Sequence, residues 1–268
     1  MFDFFSSPGF VYIIAGETGS GKSRLAIEEA KKRNGEVINV DLSQIYSFLK
    51  IGTGQVTEEE CNGVPHHLLG FLNSPQKMSI FSMRELVEEK ILSVLSRGKV
   101  PFLVGGSHYF ILSLLLAPFS FIEKQEDSFY KKSFDLDASF LFSQSLKKDE
   151  RLFACPRFPY KILGLEVNDK ALRNQRILKR IKGFFSAGWK EEVISLSQEL
   201  TLFMLEKKFI GYPEIFNFFH NKEKDMKKLE DEIFFKTCQY AKRQRTFLRK
   251  LQRDSLELGV SFNLFLKD

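Results

Sequence analysis

Gly16-Glu17-Thr18-Gly19-Ser20-Gly21-Lys22-Ser23 constrains this chain more than any other stretch. It has the form GxxxxGK[ST], it follows the apolar run Val11-Tyr12-Ile13-Ile14-Ala15, and it precedes Leu25-Ala26-Ile27-Glu28-Glu29-Ala30, which reads as helix. Strand, glycine loop and helix, in that order, let backbone N–H groups curl around an anion while the helix N-terminus adds positive potential. In such a P-loop Gly16, Thr18, Gly19, Ser20, Gly21, Lys22 and Ser23 line a diphosphate site, with Lys22 reaching phosphate oxygens and Ser23 placed to ligate Mg²⁺. An ordinary glycine turn would not need the lysine or the flanking strand and helix. The motif implies a polyphosphate site and leaves the reaction open.

The rest of the chain extends the same alternation. Val37-Ile38-Asn39-Val40 reads as a second strand ending at Asp41, Met83 to Leu92 as a helix, Val100 to Val104 as a third strand and Tyr160 to Val167 as a further one. Apolar strands alternating with amphipathic helices predict an α/β fold, a P-loop NTPase-like parallel sheet with helices on both faces. From Asp169 to about Arg253 the pattern is mainly helical. The signal weakens between Pro118 and Pro159, so residues 1–117 read as the first part of the core, 118–158 as a shortened insertion or linker, and 159–268 as the remainder of the core with a helical C-terminal part. No run is apolar enough to span a bilayer and the N-terminus lacks a signal-peptide pattern, so the chain is expected to be cytoplasmic and off the membrane; it is separately expected to be a monomer. The three cysteines form no CxxC pair and suit reduced thiols.

Forty Lys and Arg face 34 Asp and Glu, and the excess gathers between Arg173 and Arg253. Composition alone favours solvated helix faces there over a nucleic-acid surface. Spacing adds more. After the P-loop come Asp41-Leu42-Ser43-Gln44-Ile45-Tyr46, Ile51-Gly52-Thr53, Val64-Pro65-His66-His67-Leu68 and Val104-Gly105-Gly106-Ser107. Further on stand Arg176-Ile177-Leu178-Lys179-Arg180-Ile181, Gly188-Trp189-Lys190-Glu191-Glu192-Val193, Ile210-Gly211-Tyr212 and Tyr240-Ala241-Lys242-Arg243-Gln244-Arg245-Thr246-Phe247-Leu248-Arg249. In this order the chain resembles the tRNA dimethylallyltransferase (tRNA isopentenyltransferase) family over residues 9–116 and 159–250.

That resemblance implies transfer of a dimethylallyl group from dimethylallyl diphosphate to N6 of adenosine 37, beside the anticodon of a tRNA, with Mg²⁺ as cofactor. It implies that Asp41 contacts N6 as the base, and that Ser107 and Arg180 join Lys22 on the diphosphate. Asp41 could instead ligate Mg²⁺ through water, Ser107 could cap a helix, and Arg180 could form a surface ion pair. Asp41, Leu42, Ser43, Gln44, Gly211, Tyr212, Lys242, Arg243 and Arg245 would meet the anticodon stem-loop, Gln44 holding the flipped base and the basic residues its phosphates. His66 and His67 fit core hydrogen bonding or an acceptor channel better than a metal site.

Departures are informative. Glu17 stands where the family has Pro, Leu42 where it has Ser, Phe110 where it has Tyr, Pro213 where it has Arg and Phe247 where it has Trp. Nothing between Pro118 and Pro159 reproduces the family's D-x-x-R-x-x-R-A-L-E element. An adenylate isopentenyltransferase acting on free AMP or ADP, and a tRNA-binding pseudoenzyme, are the alternatives this leaves.

Overall fold

The computed structural model describes residues 4–5, 9–115, 156–222 and 225–267. The first half of the chain forms β1 (Val11–Gly16), α1 (Lys22–Lys32), β2 (Gly35–Asn39), α2 (Glu58–Cys61), β3 (His66–His67), α3 (Ile80–Ser96), β4 (Val100–Gly105) and α4 (His108–Leu115). The second half adds β5 (Tyr160–Val167), α5 (Lys170–Ser186), α6 (Trp189–Ile194), α7 (Gln198–Lys207), α8 (Tyr212–His220), α9 (Met226–Glu257) and β6 (Ser261–Lys267). The strands make one sheet in the order β3-β2-β4-β1-β5-β6, and every pairing in it is parallel.

Alternating side chains explain why both faces are covered. Val11, Ile13 and Ala15 point to one face, where they join Met83, Val87 and Ile91 of α3, Ile177 and Ile181 of α5, and Leu248 and Leu251 of α9. Tyr12 and Ile14 point to the other and pack with Ala26, Ile27 and Ala30 of α1. A strand buried on both sides must be apolar nearly throughout, which is why Val11–Gly16 carries no charged residue and only the Tyr12 hydroxyl as a polar group. The chain leaves β1 toward β2 and β3 on one side, returns through β4, and continues on the other side to β5 and β6. Strand order therefore reverses beside β1, and the loops at the carboxyl ends of β1, β2, β4 and β5 converge where such sheets bind ligands.

Two strands were not expected. β3 is only His66–His67, too short and polar to carry a strand pattern; His66 Nδ1 lies 2.8 Å from the Val64 carbonyl and His67 Nε2 lies 2.6 Å from Glu36 Oε2. β6 pairs with β5 from Lys161↔Ser261 to Val167↔Lys267. The expected insertion at 118–158 lies outside the described residues apart from 156–158. Among the described residues no helix is long and apolar enough to cross a membrane.

Glu36, 3% exposed, accepts from Lys99 Nζ at 2.7 Å and Arg97 Nη2 at 2.6 Å beside His67. Burial pushes its pKa up, but Lys99, His67 and Arg97 outweigh that and hold it at about 2. A carboxyl whose folded pKa is depressed contributes stability above its unfolded pKa and loses it as pH falls through the folded one. The urea midpoint is accordingly expected to fall between about pH 5 and pH 2. Glu36→Gln should flatten that limb while lowering stability at neutral pH.

Candidate active site

The P-loop turns sharply as it leaves β1. A Cβ on Gly16 would lie 2.7 Å from the Leu165 carbonyl, so only glycine fits against β5 there. Gly19 and Gly21 take left-handed φ values of 76° and 81°, which ordinary side chains disfavour, and Ser20 N donates to the Glu17 carbonyl at 3.2 Å. α1 begins at Lys22, so Lys22 and Ser23 stand on its first turn. Burial lowers the Lys22 pKa to about 8; neighbouring Asp41 pushes it up, Arg180 pushes it down and Glu17 pushes it up. The Arg180 pKa is also lowered, first by burial, with Asp41 and Glu60 opposing. Arg180 rests over the Phe184 ring at 4.9 Å and its guanidinium occupies the space a side chain at Gly54 would need.

Asp41 sits just beyond β2 and is 9% exposed. Its Oδ1 accepts from Ser43 N at 3.1 Å and Ser43 Oγ at 2.7 Å, and its Oδ2 accepts from Gly106 N at 3.4 Å. Asn39 clamps the backbone beneath: Asp41 N donates to its Oδ1 at 3.0 Å, while its Nδ2 donates to the Asp41 carbonyl at 3.1 Å and the Leu68 carbonyl at 2.9 Å. Ser107 Oγ accepts from Leu42 N at 3.4 Å, tying the loop after β4 to the loop after β2. Lys22, Arg180 and Asp41, three of the four expected catalytic residues, thus share one electrostatic neighbourhood, with Ser107 bonded to its edge.

Several expected RNA contacts serve the interior instead. Gly211 and Tyr212 are buried; Tyr212 Oη accepts from Gly52 N at 3.1 Å and donates to Glu192 Oε1 at 2.7 Å. Glu192 also accepts from Lys50 N at 2.8 Å and Ile51 N at 2.9 Å, so the pair shapes the loop that carries Gly52 and Gly54. The Trp189 ring packs where any side chain at Gly52 would stand. The Gln44 amide N–H₂ donates to the carbonyls of Thr53 at 2.9 Å and Gly54 at 3.0 Å, so its donors are engaged by the loop that carries Gly54. Arg245 Nε lies 3.6 Å from Glu166 Oε1, which also accepts from Arg249 Nη2 at 2.9 Å. Lys242 and Arg243 are exposed, as a phosphate-contacting pair must be.

Three residues were missed. Gln244, 3% exposed, accepts from Thr18 N at 2.8 Å and donates to the Gly106 carbonyl at 3.2 Å, joining the P-loop to the loop that holds Asp41. Its position was legible, since Ala241, Gln244, Leu248 and Leu251 recur at helical spacing and all are buried. Glu17 is fully buried; its Oε1 accepts from Val167 N at 3.0 Å, and Arg173 Nε lies 4.0 Å from Oε2. Burial raises its pKa against the pull of the Val167 amide and Arg173. His108, 4% exposed, begins α4.

Among the described residues no cluster of three or more His, Cys, Asp and Glu could hold a metal. A hard cation that keeps its waters and binds phosphate needs only one or two protein oxygens, and the Ser23 hydroxyl on the first turn of α1 is such a donor.

The fold and site together define a parallel α/β protein in which the glycine loop between β1 and α1 stands beside a buried carboxylate. The IPP transferase family model matches residues 44–151 and 138–251, and the chain belongs to that family. A tRNA dimethylallyltransferase of Staphylococcus aureus (strain MRSA252) is 45% identical over 106 residues, 40% of this chain and 34% of that relative, so the alignment spans about a third of the relative's own length. The structure of a tRNA delta(2)-isopentenylpyrophosphate transferase from Staphylococcus epidermidis matches with a TM-score of 0.70 at 25% identity, covering 96% of this chain and 93% of that one. A eukaryotic dimethylallyltransferase captured acting on tRNA shares the fold, with a TM-score of 0.72 at 23% identity over 96% of this chain and 74% of its own.

Proposed function

We propose that this chain transfers a dimethylallyl group from dimethylallyl diphosphate to N6 of adenosine 37 in a tRNA, releasing diphosphate. The observation that carries the reading is the placement of Asp41, buried and held by Ser43 and Gly106, in the electrostatic field of Lys22 and Arg180. The P-loop amides, Lys22 and Arg180 hold the donor's diphosphate and take up charge as its allylic C–O bond breaks. Ser23, on the first turn of α1, would hold Mg²⁺, which would neutralise part of that charge. Asp41 orients the adenine amine, and as the N–C bond forms it accepts the proton that N6 loses. The cradle and the base are brought together by Gln244, through Thr18 and Gly106.

The direct test incubates the purified chain with Mg²⁺, dimethylallyl diphosphate and either unmodified tRNA or AMP, followed by mass analysis of the adenosines. Prenylated adenosine 37 supports the reading. Prenylated AMP with untouched tRNA replaces it by the free-nucleotide reading, and no product with either acceptor leaves a protein without this catalysis.

RNA affinity is expected to fall steeply with salt, because cations that neutralise phosphates release bound counterions. Changing Lys242 and Arg243 together to Ala should reduce the slope of log affinity against log salt by roughly one to two while leaving diphosphate affinity intact. Filter binding across a salt series measures both; an unchanged slope would remove α9 as the docking surface.

A further inference from the structure

The glycine loop has a second flank, at the carboxyl ends of β5 and β6. Asp41 follows β2, on the β4 side of β1, whereas β5 and β6 lie on the other side. Lys267 ends β6, beyond the residues that the family model matches. Its side chain is half-buried, and its Nζ lies 3.1 Å from where a Cβ on Gly21 would stand. Arg176 of α5 comes to the same loop, with its Cβ 3.7 Å from where a Cβ on Gly19 would stand. It precedes Arg180 by one helical turn and so shares its face of α5.

The fold fixes the root of that lysine. Lys267 pairs with Val167, its carbonyl accepts from Asn168 N at 3.1 Å, and Val167 N donates in turn to Glu17 Oε1 at 3.0 Å, so the ends of β5 and β6 are tied to the loop they face. The charges there are left uncompensated. Neither the Lys267 ammonium nor the Arg176 guanidinium has a hydrogen bond or ion pair among the described residues, whereas Arg24, a third cation nearby on α1, pairs with Glu28 at 2.8 Å. Burial, then Arg176 and Arg24, lower the Lys267 pKa, with Glu28 opposing. Three elements thus bring cations to one loop against their mutual repulsion, and an anion seated on the loop offsets that repulsion.

We propose that Lys267 is a further phosphate-binding residue of the candidate active site: its ammonium donates to an oxygen of the donor's diphosphate seated on the glycine loop, and Arg176 adds positive charge beside it. The diphosphate is then held from both flanks, by Arg180 on the side of Asp41 and by Lys267 on the side of β6. A multiply charged group needs cations on both flanks, since each charge-assisted hydrogen bond neutralises only part of it. The inference rests on the transferase reading for the identity of the donor, but the hold on diphosphate does not require the transfer step.

The test titrates inorganic diphosphate, with Mg²⁺ present, into the full-length chain and into Lys267→Ala, Lys267→Arg and Lys267→Glu by calorimetry. The diphosphate Kd is expected to rise about tenfold in Lys267→Ala and further in Lys267→Glu, and to stay within about threefold of wild type in Lys267→Arg, which keeps the charge. Melting temperature and tRNA affinity should hold at their wild-type values, while the donor KM follows the diphosphate Kd. Unchanged diphosphate affinity in both Lys267→Ala and Lys267→Glu overturns the proposal. A loss of tRNA affinity with diphosphate affinity intact also overturns it and marks a contact to RNA phosphate, and a lowered melting temperature that Lys267→Arg does not rescue overturns it in favour of a packing role. If the wild-type chain binds no diphosphate, the glycine-loop site and this inference fall together. If it binds diphosphate but prenylates neither tRNA nor AMP, the transferase reading falls alone, and the Kd series still decides the role of Lys267.

Discussion

Lys22→Ala is expected to lower kcat/KM for the donor by about 10³-fold or more, since it removes a cation from a half-buried site where the diphosphate charge has few substitutes. Arg180 alone remains of the two half-buried cations beside Asp41. The wild-type pH profile should carry the same signature. Burial holds the free Lys22 pKa near 8, below that of an ordinary lysine, so the ammonium is present below that pH and lost as pH rises through it. Donor affinity therefore falls on the alkaline side. Bound diphosphate favours the charged lysine, so the limb should be marked in kcat/KM, which reports the free enzyme, and displaced upward in kcat. Steady-state kinetics across pH on wild type and Lys22→Ala check this; near-normal turnover of the variant at saturating donor would sink the P-loop assignment.

How much of this was legible in the sequence depended on the range of the interactions involved. β5 was predicted at its observed bounds, Tyr160–Val167, because eight residues between turn signals carry a continuous pattern. β6 was missed although Phe262 is buried and Leu264 packs on the core, the alternation of a strand with one covered face; its pairing to β5 spans about a hundred residues and leaves no local trace. The site shows the same division. Gly19, Gly21, Lys22 and Ser23 were readable because a P-loop is built from neighbours in sequence. Gln244 bonds to Thr18 across 226 positions, and Tyr212 bonds to Gly52 across 160, so motif matching could flag both but not name the partner each one meets. The match to a family element marks Tyr212 as an RNA contact but says nothing of exposure, whereas its ring is fully buried against Trp189. Glu17 went unremarked beyond its departure from proline; the Val167 amide it accepts from is 150 residues away.

Asp41→Asn is expected to lower kcat by roughly 10²-fold or more with tRNA affinity little changed. The adenine amine is a poor nucleophile because its lone pair is delocalised into the ring, so a group that orients it and takes its proton acts mostly at the transition state. Ser43 N and Oγ and Gly106 N all donate to the carboxylate, and the Asn39 clamp grips only the backbone of residue 41. An asparagine keeps the shape and one acceptor, but its amide N–H₂ must face either Ser43 or Gly106 as a donor against a donor, so some loss of stability accompanies the loss of rate. Melting temperature and kcat together separate these: a fall in kcat far larger than the fraction unfolded at assay temperature belongs to the chemistry. Mg²⁺ titration supplies the last discrimination. If Asp41→Asn raises the Mg²⁺ requirement and recovers its rate at high Mg²⁺, then Asp41 works as a metal ligand through water and the proton acceptor is another group. If tRNA binding collapses while kcat survives, Asp41 holds the acceptor without taking its proton. A loss of kcat that neither Mg²⁺ nor tRNA concentration restores is the result expected of a base.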